Sequence, residues 1–250
     1  MQNKIKLKQI LQNIPHGTVV TSLWLENQGV SRSLRSAYKK NGWLKSFGNG
    51  AYFKLNDNIE LEGSIYALQQ QLYLSFHLGG VSALAKLGIN HNIAFNRKTY
   101  IYGYRAEKVP NWFKENYSEN IEIVKSEFLP KELGLVDFDN KDFSIKISSQ
   151  ERAILEMLYL APDKNSIKEI YQLMESMSVL KPKLLQELLE NCSSIKVKRV
   201  FLYLADKLNY PWFKKLDITK IDLGSGKRTI EKVGKLDKKY NIVIGNIEEI

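Results

Sequence analysis

The chain has 250 residues, 44% of them hydrophobic and 11% aromatic, with 37 Lys and Arg against 27 Asp and Glu for a net charge of +10. That apolar content excludes an intrinsically disordered chain, and the length allows one large domain or two smaller ones. The single cysteine, Cys192, excludes an intramolecular disulfide and any cysteine-rich metal site.

The first ten residues alternate lysine with other types and hold no apolar core segment, so a cytoplasmic protein is expected. The longest apolar-looking run, residues 65–76, is interrupted by Gln69, Gln70 and Gln71, which argues against a bilayer span. The charge is unevenly spread. Residues 1–56 hold nine cations and one anion, Glu26, for a net of +8. Residues 57–194 net −4, residues 195–240 net +8, and the last ten net −2. Two basic ends around an acidic middle point to nucleic acid, with solubilising surface charge as the alternative.

In chain order, residues 4–12 mix Ile5, Ile10 and Leu11 with lysines in a helix-compatible pattern that Asn13, Pro15 and Gly17 close. Thr21 or Ser22 can cap a short second helix over residues 23–27, which ends at Gly29. Ser31 or Ser33 caps a third helix running to about Lys40, stopped by Asn41-Gly42. Val30, Leu34, Ala37 and Tyr38 read as its apolar stripe, with Arg32, Arg35, Ser36 and Lys39 opposite. Residues 43–47 and 51–54, joined by Gly48-Asn49-Gly50, carry a hairpin signal, because those turn residues tolerate positive φ.

Helix, helix, glycine turn, basic helix and hairpin make a winged helix-turn-helix, whose third helix is expected to enter the DNA major groove. Arg32 and Arg35 suit guanine edges, since a guanidinium fork can bond O6 and N7 together. Lys39, Lys40, Lys45 and Lys54 suit phosphates, while Ser31, Ser33, Ser36 and the turn residue Asn49 fit either role. A winged helix can also serve as a protein-interaction module.

Residues 63–76 read as a helix, residues 77–80 as a break, and residues 81–87 as a helix stopped by Gly88. Strands are expected at residues 98–104, 121–125 and 143–147, with a helix at 110–117 between the first two. This mixture argues for an α/β or α+β body. From residue 149 onward the pattern turns helical, over residues 149–160, 166–177, 182–190 and 195–208. Ser148 or Ser149 followed by Glu151 resembles a capping box, and Glu151-Arg152 reads as an ion pair or, alternatively, an acid–base pair. Near the end, Gly224-Ser225-Gly226-Lys227-Arg228, followed by Lys239, is a candidate anion contact, with a solvated turn as the alternative. It lacks P-loop spacing, because Ile221 stands where a glycine is needed.

Signals for catalysis are weak. His16, His77 and His91 are scattered without zinc-ligand spacing, and no nucleophile elbow or dinucleotide fingerprint occurs, so no cofactor and no metal site are expected. The acidic cluster Asp137, Asp139, Asp142 is the one arrangement suited to Mg²⁺, and a solvated turn explains it equally well.

The order of these pieces resembles the AbiEi-type antitoxins of bacterial type IV toxin–antitoxin systems. The resemblance rests on Gly29-Val-Ser-Arg-Ser-Leu34, Asn41-Gly-Trp-Leu44 and Gly48-Asn-Gly-Ala-Tyr52, then Gly79-Gly-Val-Ser-Ala-Leu84 and Ser149-Gln-Glu-Arg-Ala153. It closes on Asp222-Leu-Gly-Ser-Gly-Lys-Arg228 ahead of Lys239-Tyr240. The resemblance implies a non-enzymatic autorepressor in a phage-defence operon. Its winged helix binds inverted repeats of duplex DNA in its own promoter, two copies per operator, as a monomer or weak dimer. Its C-terminal domain neutralises a nucleotidyltransferase-like toxin without a stable complex. By position, Arg32, Ser33, Arg35, Ser36 and Lys39 read the operator, and residues 224–228 fall in the antitoxin domain. The expected fold is thus a two-domain α/β (α+β) chain. A winged helix occupies residues 1–58, and a larger mixed domain with a helical segment occupies residues 59–250, with a candidate sub-boundary near 148. A ligand-responsive winged-helix transcription factor and a metal-dependent nuclease are the other open readings.

Overall fold

The computed structural model describes residues 10–89 and 98–247. The element order begins β1 (Val20–Thr21), α1 (Ser22–Asn27), α2 (Arg32–Lys40), β2 (Leu44–Gly48), β3 (Ala51–Lys54) and α3 (Leu61–Tyr66), which runs into a π-helical turn at Ala67–Gln71. It continues with β4 (His77–Leu78), α4 (Gly80–Lys86), β5 (Thr99–Tyr104), α5 (Asn111–Tyr117), β6 (Ile121–Ser126), β7 (Leu135–Asn140) and β8 (Phe143–Ser148). Helices α6 (Gln150–Leu160), α7 (Ile167–Glu175), α8 (Pro182–Asn191) and α9 (Ile195–Leu208) follow, then β9 (Arg228–Thr229), β10 (Lys235–Asp237) and β11 (Ile242–Ile244). The sheets run β1-β3-β2, β6-β5-β4-β8-β7 and β10-β11-β9. Of the first expected helix, residues 10–12 are helical, while its lysines and His91 lie outside the described residues.

Two compact units divide the chain. One comprises Met1–His77, Ile101–Lys125 and Asp137–Lys146; the other comprises Leu78–Tyr100, Ser126–Val136 and Ile147–Ile250.

In the first unit, hydroxyl caps start both short helices. Thr21 Oγ1 accepts from Trp24 N at 3.2 Å and Ser31 Oγ accepts from Leu34 N at 3.3 Å, satisfying donors that have no partner inside a first turn. Ile14, Val20, Leu25, Val30, Tyr38 and Leu44 form the core beneath them. The outer edge of β1 is not left open. Val19 N donates to Gly63 O at 3.3 Å. Gln71 Nε2 donates to Val19 O at 2.7 Å, and Gln71 Oε1 accepts from Thr21 N at 2.8 Å. A side-chain amide thus stands in for a neighbouring strand. The approach is close: a Cβ on Gly63 would lie 1.8 Å from Gly17 O.

The helix expected over residues 63–76 therefore departs from expectation. It begins at Leu61, widens into the π turn and stops at Gln71. That geometry lets Gln71 reach β1, while Gln69 makes two bonds to the backbone of Lys146, at 2.9 and 2.8 Å. Two of the three glutamines that interrupt the apolar run, Gln69 and Gln71, are thus backbone partners of two strands.

The β2–β3 hairpin packs on α5. Asn116 Nδ2 donates to Phe47 O at 2.7 Å, and Phe47 meets Trp112 edge-on with ring centroids 6.1 Å apart. Gly48, at φ +143, is required there, since a Cβ would fall 2.8 Å from Trp112 Cβ.

In the second unit, α6 carries a buried polar hub. Arg152 Nε donates to Glu156 Oε1 at 2.8 Å, and Arg152 Nη1 donates to the carbonyls of Pro130 at 2.7 Å and Leu133 at 2.6 Å. Glu156 Oε2 accepts from Gly80 N at 2.9 Å and Ser148 Oγ at 2.7 Å. The Glu151-Arg152 pairing is corrected here: neighbours on a helix point in different directions, and Glu151 instead accepts from Lys181 N at 2.8 Å. Ser149 alone caps α6 through Arg152 N, whereas the capping box sits at Ser166 and Glu169 on α7.

Two further expectations change. The break at residues 77–80 holds β4, whose Leu78 pairs in parallel with Ile147, and α4 begins directly after it at Gly80. The acidic run at residues 137–142 belongs largely to β7, with Lys141-Asp142 as the connection to β8.

Candidate nucleic-acid interface

Helix α2 is the centre of the first basic region. Its buried side comprises Arg35 and Tyr38, with Leu34 half-buried, packed over Val30 and Leu25. Arg32, Ser33, Ser36, Ala37, Lys39 and Lys40 are exposed. Lys45 on β2 and Asn49 at the hairpin turn are exposed as well. Among the described residues, Arg32, Ser36, Lys39, Lys40, Lys45 and Asn49 have no side-chain bond or ion pair. Ser31 and Ser33 are partly committed, since Ser31 caps the helix and its hydroxyl lies 2.9 Å from that of Ser33.

Two of the expected contact residues are used elsewhere. Arg35 is only 6% exposed. Its Nη2 donates to Glu26 Oε1 at 2.7 Å and its Nη1 to Val30 O at 3.0 Å. It therefore joins α1 to the turn and to α2 and does not belong to the outer face. The available signal in the sequence was Glu26, the lone anion of residues 1–56 and so the one carboxylate of that stretch to which an inward-turned cation could pair. Lys54 is also drawn inward. Its Nζ donates to Ile14 O at 2.8 Å and lies 3.9 Å from Asp57, leaving its side chain 12% exposed. Ala37 moves the other way, from the expected apolar stripe to the exposed face.

The chemical result is a groove-sized helix whose outer face carries cations and hydroxyls and no carboxylate. Its one nearby carboxylate is neutralised by Arg35. Such a surface suits a polyanion, and a helix of this diameter fits the B-DNA major groove.

The second basic region is organised differently. Arg199 on α9 is 2% exposed and points its guanidinium at backbone carbonyls: Leu223 O at 2.7 Å, Gly224 O at 3.0 Å, Gly226 O at 2.6 Å and Asn241 O at 3.1 Å. The Gly-Ser-Gly segment wraps this buried cation, with Gly224 at φ +63 and Gly226 at φ +73. Gly224, Ser225, Gly226, Lys227 and Arg228 are all exposed on its outside. Lys227, Arg228, Lys232, Lys235 and Lys238 are exposed and make no ion pair among the described residues. Lys239 is engaged with Asp206 at 2.6 Å and lies over the Tyr240 ring at 5.3 Å.

The remaining reactive types have ordinary structural surroundings. Burial pushes the Cys192 thiol up to about 11, away from a reactive thiolate. Burial also lowers the Lys196 ammonium, whose Nζ donates to the carbonyls of Tyr159 and Ala161 at the end of α6, at 2.8 and 2.6 Å. His77 is buried with Nδ1 2.7 Å from Ser75 O, and Asp137 pairs with Lys146 at 2.8 Å. No group of three metal-ligating side chains occurs among the described residues, and no helix there is long and apolar enough to cross a membrane.

Comparison with known families identifies the class. Residues 96–245 match the family described as a transcriptional regulator, AbiEi antitoxin, of type IV toxin–antitoxin systems. Residues 3–95 match the corresponding AbiEi antitoxin N-terminal domain. The protein is by class a transcriptional regulator. More particularly, the chain belongs to the AbiEi antitoxins of type IV toxin–antitoxin systems. Its fold is similar to that of the RV2827C protein from Mycobacterium tuberculosis. That crystal structure aligns with a TM-score of 0.61 at 15% identity, over 97% of this chain and 91% of the other. No curated protein matches the chain.

Proposed function

We propose that the segment through residue 58 acts as a winged helix that binds duplex DNA. In this reading α2 enters the major groove and β2–β3 serves as the wing. The observation that carries it is the outer face of α2: exposed, cationic and free of carboxylates, with Glu26 neutralised from inside by Arg35. Arg32 reads a guanine edge, Ser33 and Ser36 face the groove, and Lys39, Lys40 and Lys45 hold phosphates. The sites are inverted repeats in the promoter of its own operon, occupied by two copies and leading to repression. The C-terminal residues neutralise a nucleotidyltransferase-like toxin without a stable complex. The protein itself performs no catalysis. Family membership supports the antitoxin role, and the exposed cations around residues 224–238 are the first surface to test for it.

The deciding experiment is an anisotropy titration of the full chain against duplex DNA from its own upstream region. Saturable binding that weakens steeply with salt and falls further for Arg32→Ala supports the reading. Equal affinity for promoter and unrelated duplex, unchanged by Arg32→Ala, overturns it.

A further inference from the structure

Six residues of α2 are exposed and share one broad helical face. Arg32, Ser33, Ser36, Ala37, Lys39 and Lys40 lie at i, i+1, i+4, i+5, i+7 and i+8, while Leu34, Arg35 and Tyr38 turn inward. Within that face five side chains offer hydrogen bonds or charge and one offers only a methyl group. A major groove displays a single apolar feature on its base edges, the C5-methyl of thymine. From this juxtaposition we infer that Ala37 is a specificity-determining residue, its methyl packing on a thymine methyl in each half-site. The inference rests on the proposed DNA-binding reading and deepens it.

Because Arg35 is buried, the guanine contact falls to Arg32 alone among the arginines of α2.

The test starts from selection of duplexes out of a random pool by the full chain. Each thymine of the selected site is then replaced singly by deoxyuridine, which removes only the methyl group. Wild type is expected to lose about fourfold in affinity at one thymine per half-site, the effect of one buried methyl. Ala37→Gly is expected to bind thymine and deoxyuridine duplexes equally. The comparison is a ratio within each variant, so any loss of folded protein cancels. If a specific site is selected and no thymine is sensitive to deoxyuridine, or if Ala37→Gly keeps the full discrimination, the inference is overturned while DNA binding stands. If no sequence is enriched, both fall together.

Discussion

The two basic regions carry the same net charge, +8 each, yet they are built in opposite ways. In the first, cations project from one face of a regular helix, and the single carboxylate is paired from beneath. In the second, cations sit on a Gly-rich segment and short strands that fold around a buried guanidinium. Each region hides one arginine. Arg35 crosses from α2 to Glu26 and Val30 O, and Arg199 collects four backbone carbonyls. The lesson is that charge counting overstates each surface by at least its organising residue, with Lys54 in the first region and Lys198 in the second drawn inward as well. An exposed lysine and a buried arginine count alike in a sum but do different work, because a buried charge persists only where bonds replace its lost hydration.

The comparison can be broken most severely at Arg199. Arg199→Ala leaves several carbonyls without their donor and is expected to cost about 3 kcal/mol. A domain of this size should then lose roughly 6–12 °C in midpoint, read by thermal denaturation. Operator affinity should be unchanged once the protein is folded.

Next in size is the pair Arg35 and Arg32. Arg32→Ala should cost about 1–3 kcal/mol in operator binding and leave the thermal midpoint unmoved. Arg35→Ala should instead lower stability by about 1–2 kcal/mol, since Glu26 is half-exposed and water can replace part of the lost bond. Parallel denaturation and titration separate the two. Equal behaviour of the variants in both assays would remove the distinction drawn between the inner and outer arginine.

Lysines sharpen the same contrast with smaller effects. Lys40→Ala should reduce the slope of log affinity against log salt by about one. Lys54→Ala should leave that slope alone and lose about 1 kcal/mol of stability with its bond to Ile14 O. Small in folding terms as well is Lys227→Ala with Arg228→Ala. Both side chains are exposed and without ion pairs among the described residues, so stability should shift by less than about 0.5 kcal/mol. Growth rescue against a co-expressed toxin then reads their role directly: full rescue by the double variant places neutralisation elsewhere.

Much of the fold was legible where local chemistry suffices. Ser31 at the N-cap, Asn41-Gly42 at the stop and Gly48-Asn49-Gly50 in the hairpin each act within a few residues, and helices α2, α8 and α9 fall close to their expected bounds. Pro182 starts α8 at a position where its missing N–H costs nothing. The less legible parts depend on distant backbone. Gln69 and Gln71 read as a flaw in an apolar run because their partners, Lys146, Val19 and Thr21, are remote in sequence. Strand β7 was hidden by its aspartates, which project outward from the strand and resemble a solvated turn.

The sequence by itself determined that the chain folds into mixed α/β structure, that a basic helix precedes a hairpin, and that its family is AbiEi-like. The first two follow from periodicity, capping and local turn chemistry, and the third from the order of motifs that resembles the family. Only the tertiary structure decided which cations remain outside. Arg32 and Arg35 are identical residues one turn apart on one helix. What separates them is a glutamate across a tight turn and a carbonyl in it, and burial makes those two bonds the condition for carrying a charge there.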